Sequence, residues 1–133
     1  MVLGDEGGAW PLLKRVFGLC LGGRPGGGKQ WVPWSHLEDE VGIIMHALEK
    51  AGCTGPLNLV APNPVTNAEL TAAIAGLLRK PAILHAPAFG IRLALGELSE
   101  VALGSQRAEP RAALAGGYEF RHPDLRGALA ALA

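Results

Sequence analysis

The chain has 133 residues, with 12 basic and 12 acidic side chains and a formal net charge of zero. That length suits one domain with one core, and the even balance, with no basic stripe, argues against nucleic acid as a partner. Charged residues make up 18% and hydrophobic residues 49%, where about 25% charged is usual for a soluble domain, so much of this chain calls for cover by itself, a second chain or another domain.

Glycines and prolines are spread between apolar runs, which rules out collagen-like and disordered readings. Cys20 and Cys53 form no C-x-x-C and have no histidine at metal spacing, so a reduced, cytoplasmic setting is the expectation. The start, Met1-Val2-Leu3-Gly4-Asp5-Glu6, has no basic region followed by an apolar one and does not read as a signal peptide. The apolar runs fall short of the roughly 20 residues a membrane helix needs.

Val2-Leu3-Gly4 reads as the end of a strand. Ala9 to Leu21 has helical periodicity, with Trp10, Leu13, Val16, Phe17 and Cys20 on one face. Arg24 to Lys29 is a glycine-rich turn. Gln30 to Leu37 reads as a strand, interrupted or edge-like at Pro33. The next helix, Glu38 to Lys50, opens on Glu38, Asp39 and Glu40, as the helix dipole favours. Leu57 to Ala61 reads as a short buried strand, and Thr66-Asn67-Ala68-Glu69 as a capping box that starts a helix to Leu78. A strand over Ala82 to His85, short helices over Ala88 to Leu95, Glu97 to Leu103 and Pro110 to Ala115, an extended piece at Tyr118 to Phe120 and a last helix ending near Leu132 complete the series. Alternating helices and short strands make the fold class α/β, or an α+β-like fragment.

Several motifs invite chemistry and fail on geometry. Gly23 to Gln30 nearly matches the phosphate loop, but Gln30 stands where the magnesium-holding hydroxyl is needed, and the turn leads into a strand rather than a helix. No G-x-G-x-x-G follows a strand, so no Rossmann fingerprint for a dinucleotide is present. Ser35 and His36 are strand neighbours on opposite faces, so the histidine cannot activate the serine. Trp31 and Trp34 lie an odd interval apart and face opposite sides unless Pro33 inserts a bulge, so one belongs to the core. His46, His85 and His122 share no ligand spacing, and no metal site is expected.

The segments Gly7-Gly8-Ala9, Gln30-Trp31, Pro33-Trp34-x-His36-x-x-Asp39, Gly55-Pro56-x-Asn58, Ala61-Pro62-Asn63-Pro64-Val65-Thr66-Asn67-Ala68-Glu69, Leu95-Gly96-Glu97, Gln106-Arg107 and Gly117-Tyr118-x-Phe120-x-x-Pro123 occur in order along the chain. Together they resemble the C-terminal part of the epimerase-family proteins, atypical extended short-chain dehydrogenase/reductases. The resemblance implies a substrate-binding lobe over residues 1–133, with the Rossmann core absent. Residues 1–4 would be a stub of a Rossmann strand, and residues 38–61 a helix and strand that pack on the Rossmann sheet. It implies NAD(P) for the full-length family and none for this chain, since Tyr118 is followed four residues on by His122 rather than the lysine of the superfamily's Tyr-x-x-x-Lys.

The diphosphate-contacting arginine of nucleotide-sugar epimerases, four residues before the histidine, is Val32 here, and a valine cannot pair with phosphate. Gln30, Trp34, His36 and Arg92 stand as candidate substrate-binding residues, and Asp39, Asn58, Thr66 and Glu69 as structural ones, with no catalytic residue. The expected partners are a Rossmann domain or a second copy, and a small-molecule ligand, with neither nucleic acid nor membrane. The leading expectation is the C-terminal substrate-binding part of an NAD(P)-dependent epimerase- or reductase-like protein, inactive alone. The alternatives are a non-catalytic ligand- or partner-binding module, as division-factor labels among the relatives would imply, and a truncated remnant.

Overall fold

The computed structural model describes residues 1–89, 93, 96–98, 100 and 103–133, with the side chains of residues 85, 86 and 98 outside that description. Its strands are short and pair two by two. β1 (Val2–Leu3) runs parallel to β4 (Ser35–His36), with Val2 opposite Ser35 and Leu3 opposite His36. β2 (Gly23–Pro25) runs parallel to β6 (Leu84–Ala86), and β3 (Trp31–Val32) runs antiparallel to β5 (Val65–Thr66).

Five helices surround these ladders among the described residues: α1 (Trp10–Gly18), α2 (Leu37–Glu49), α3 (Asn67–Leu78), α4 (Arg111–Ala115) and α5 (Leu125–Ala131). The mixed α/β architecture expected from the sequence is the one observed.

The core forms where α3 packs between α1 and α5. Trp10 and Phe17 of α1 meet Leu70 and Ile74 of α3 and Leu125, Ala128 and Leu129 of α5, with Leu3 and Trp34 beneath them. Seven positions, two helical turns, separate Trp10 from Phe17, so both face the same way. Pro11 sits in the first turn of α1, where its missing amide costs nothing. The Trp10 indole N–H donates to the Leu132 carbonyl at 3.2 Å and ties the first helix to the end of the last.

α3 begins with the capping box that the sequence spells. Thr66 Oγ1 accepts from the Glu69 amide at 3.3 Å, and Glu69 Oε2 accepts from the Thr66 amide at 2.7 Å. The next two amides of that turn, Asn67 and Ala68, donate to the carbonyls of Gln30 and Gly28. The glycine-rich turn is therefore occupied in holding the start of α3.

Two expected elements come out differently, and a third, Gln30 to Leu37, takes the interrupted form of the two expected. It breaks at Pro33-Trp34 into β3 and β4, which pair with different partners, because Pro33 has no amide to carry a ladder through. Leu57 to Ala61 forms no ladder among the described residues. Pro56 and Pro62 bracket it, and Ala61 alone donates across, to Trp34 O at 2.7 Å. α1 stops at Gly18 rather than Leu21, since Cys20 takes φ 59°, a left-handed value that cannot continue a helix. The helices expected over Ala88 to Leu95 and Glu97 to Leu103 fall partly outside the described residues.

Candidate functional site

The Trp34 to Asp39 segment runs from the end of β4 into the first turn of α2. His36 is the N-cap of α2, with extended backbone, and its Nδ1 accepts from the Glu38 amide at 3.2 Å. Ser35 Oγ donates to Glu40 Oε1 at 2.6 Å and so turns away from His36. This agrees with the opposite-face reading of the two residues.

Asp39 does more than open the helix. It is only 2% exposed and accepts three hydrogen bonds from the far end of the chain: the Tyr118 hydroxyl at 3.0 Å, the Arg121 amide at 2.8 Å and the His122 amide at 2.8 Å. A buried carboxylate is tolerable when it is satisfied in this way. Gly42, one turn on, clears the space: a Cβ there would collide with the Tyr118 hydroxyl. Burial, helped by the bond to Asp39, pushes the Tyr118 phenol up to about 12.

The same tether brings His122 onto His36, with ring centroids 3.9 Å apart and planes inclined by 33°. His122 Nε2 lies 3.1 Å from Glu38 Oε2. That hydrogen bond is the main reason the Glu38 carboxyl is held below its usual range. Burial, with the neighbouring His122 second, lowers the pKa of His36. His36 Nε2 is buried and has no hydrogen-bond partner among the described residues.

Of the four candidate substrate-binding residues, the three described ones, Gln30, Trp34 and His36, are each engaged within the fold. Gln30 Nε2 donates to Pro25 O at 2.9 Å and braces the glycine turn. Trp34 is 1% exposed, packs in the core and donates its indole N–H to Asn63 O at 3.0 Å. It therefore presents no surface to a ligand, and it is the core member of the tryptophan pair. Trp31 is half-buried under the Arg107 guanidinium, 4.9 Å from the ring centroid. His36 is buried at the cluster just described, and Arg92 lies outside the described residues. Among the structural residues, Asn58 Nδ2 donates to Glu109 O at 3.2 Å, and Thr66 and Glu69 form the capping box. A cavity of about 370 Å³ between α2 and α4 is lined by Ile43, His46, Lys50, Cys53 and Leu57 among others, and by none of the three described candidates.

Sequence reasoning missed Tyr118 and His122 as partners of this segment. The available signal was Gly42, a glycine inside an otherwise sound helix, which marks a close approach.

The two described glycine turns differ in what they join. The Gly4 to Gly8 loop between β1 and α1 folds back on its own strand, with Gly8 bridged to Leu3 and the Ala9 amide donating to Val2 O. The second glycine turn joins two strands, β2 and β3. Only the first of them leads from a strand into a helix.

Residues 86–132 match the family model described as Domain of unknown function (DUF1731). Epimerase family protein ML0860 of Mycobacterium leprae is 42% identical over 130 residues, which are 97% of this chain and 42% of that protein. The chain corresponds to the C-terminal part of the epimerase family proteins. The crystal structure of human epimerase family protein SDR39U1 with NADPH superposes with a TM-score of 0.93 at 38% identity, covering 98% of this chain and 45% of that one. A nucleoside-diphosphate sugar epimerase from Corynebacterium glutamicum matches at a TM-score of 0.73 and 35% identity, over 97% of this chain and 24% of that one. The chain thus spans less than half the length of these epimerase family relatives, and the Rossmann core is absent from the stretch they share. No helix among the described residues is long and apolar enough to cross a membrane.

Proposed function

We propose that this chain is the substrate-binding part of an NAD(P)-dependent epimerase- or reductase-like protein and that it does not turn substrate over alone. The reading rests on one observation above all: nearly the whole chain superposes on less than half of a structure whose own description includes NADPH. In this reading the chemistry comes from another part of the protein, since Tyr118 is engaged by Asp39 and is followed four residues on by His122 rather than a lysine.

The outer face of α2 supports the same reading. Leu37, Val41, Ile44, Met45 and Leu48 are all exposed. They follow the i, i+4, i+7, i+8, i+11 spacing of a stripe made to be covered. In this reading the stripe docks against a nucleotide-binding part, and the charged first turn of α2 stays at the edge of the joint site.

The test is NADPH titration of the purified chain, followed by nucleotide fluorescence. No saturable binding is expected from the chain alone, and binding is expected after mixing with the N-terminal remainder of the M. leprae relative. Saturable NADPH binding with turnover by the chain alone would overturn the proposal.

A further inference from the structure

We propose that His36, Glu38 and His122 form a binding site for a divalent transition-metal ion, zinc above all. The three residues come from the end of β4, the first turn of α2 and the segment just before α5. Their coordinating atoms all lie within 4.8 Å of one another. Two imidazoles and one carboxylate are a donor set that suits zinc, with a fourth position left for water or a ligand.

The distances are close to what an ion requires. Zinc bonds of about 2.0–2.2 Å place adjacent ligand atoms on a tetrahedral ion about 3.4 Å apart. His122 Nε2 and Glu38 Oε2 already stand 3.1 Å apart. The widest separation in the cluster has to close by about 1.4 Å. The Glu38 side chain is 55% exposed, with His122 and, at 3.9 Å, Arg121 as its partners.

A second observation points to a ligand independently of the spacing. His36 is 5% exposed, and its Nε2 is the one buried side-chain nitrogen or oxygen without a partner among the described residues. A buried polar atom in a native fold is normally satisfied. Among the described residues no other contact uses this nitrogen: His36 Nδ1 caps α2, and His122 Nε2 reaches Glu38 rather than its stacked neighbour. Asp39 supplies the support that metal ligands usually have behind them. It accepts the backbone amide of His122 itself and holds that residue against the start of α2.

Binding rearranges protons without any redox change. Because Nδ1 of neutral His36 accepts from the Glu38 amide, its ring hydrogen sits on Nε2. Coordination at Nε2 moves that hydrogen to Nδ1 and gives up the 3.2 Å capping bond. His122 exchanges its hydrogen bond to Glu38 for a metal–nitrogen bond, and its second ring nitrogen carries the remaining hydrogen. Glu38 goes from ion-pair partner to metal ligand.

The experiment uses the untagged chain carrying Cys20→Ser and Cys53→Ser, which removes the two exposed thiols as competing zinc ligands. Zinc is titrated against a chromophoric chelator. One equivalent held at micromolar affinity or tighter is the expected result. His122→Ala and Glu38→Gln should each weaken it by at least about tenfold, while His46→Ala leaves it unchanged. Should either variant lose its fold by circular dichroism, imidazole nitrogen NMR of the unsubstituted His36/His122 chain with zinc decides instead. Shifts at Nε2 of His36 and of His122 support the site. Failure to hold zinc, an affinity unchanged by His122→Ala, or shifts confined to His46 and His85 would overturn it.

Discussion

Tyr118 donates its phenolic hydrogen to Asp39 at 3.0 Å, joining two residues 79 positions apart. The amides of Arg121 and His122 converge on the same carboxylate. The helix that starts at Leu37 and the segment that leads into α5 are therefore one structural unit. His122 faces His36 as a consequence of that tether rather than of any local motif.

Replacing Asp39 with alanine should cost far more than replacing Tyr118 with phenylalanine. The first leaves three donors without their acceptor, two of them backbone amides, each worth about 1–3 kcal/mol when orphaned. A loss of about 3 kcal/mol or more is expected for Asp39→Ala. Tyr118→Phe removes one bond and leaves the carboxylate with two donors, for a loss of about 1 kcal/mol. Urea unfolding of the two variants measures the ratio. Equal effects would mean that the backbone amides contribute nothing.

Gly42→Ala isolates the close approach. In an exposed helix interior this change stabilises by up to about 1 kcal/mol. Here the new Cβ meets the Tyr118 hydroxyl, so a net loss of stability is expected, together with displacement of the phenol from Asp39. A rise in melting temperature would show that the ring moves aside at no cost.

The pH dependence of that phenol follows from its surroundings. Burial comes first, then the bond to Asp39, with Glu38 adding to the effect and Arg121 opposing it, and the result is about 12 against an ordinary value near 10. The folded state holds the proton more tightly than the unfolded state. Its stabilising contribution is thus complete below pH 10 and is lost as pH rises through 12. Absorbance at the phenolate band, followed with pH, should show this single tyrosine titrating at about 12 in the folded chain, and earlier after Gly42→Ala.

Local features of the fold were legible in the sequence, and long-range ones were not. The capping box at Thr66 and Glu69, the helix to Leu78 and the paired apolar faces of α1 and α5 follow from spacing alone. The turn geometry that disqualifies Gly23 to Gln30 as a phosphate loop was equally plain. Spacing could not say that Pro33 splits one expected strand between two ladders, because strand partners lie 30 or more residues away. Nor could it say that Trp34 rather than Trp31 is the core residue. The His36–His122 pair was hidden for the same reason: 86 positions separate the two rings, and the residues that link their segments, Glu38 and Asp39, read as helix-start acids.

Thr66→Ala tests the best local reading. Losing an N-cap hydroxyl costs about 1 kcal/mol. The backbone amide of Thr66, and then its hydroxyl, hold the Glu69 carboxyl below its ordinary value. That contribution is present above the unfolded carboxyl's pKa and is lost as pH falls through the depressed one. Chemical denaturation at neutral and acid pH should show the gap between Glu69→Gln and the parent chain closing on the acid side. A gap that persists unchanged in acid would assign the stability to the hydrogen-bond geometry rather than to the charge.

Two neighbouring positions on α2 separate folding from docking. Ile43 is 1% exposed, and Ile43→Ala should cost about 2–5 kcal/mol as a cavity forms between α2 and α4. Leu48 is 77% exposed, so Leu48→Lys removes nothing from this chain's own core and should leave its unfolding midpoint within about 0.5 kcal/mol of the parent. If the α2 stripe is the face that meets a nucleotide-binding part, Leu48→Lys combined with Ile44→Glu should also reduce self-association of the isolated chain. The same pair should weaken its capture by the N-terminal remainder of an epimerase family relative. Sedimentation and titration with that remainder read both effects. Unchanged association in both assays would move the docking face elsewhere and leave the exposed stripe as ordinary surface.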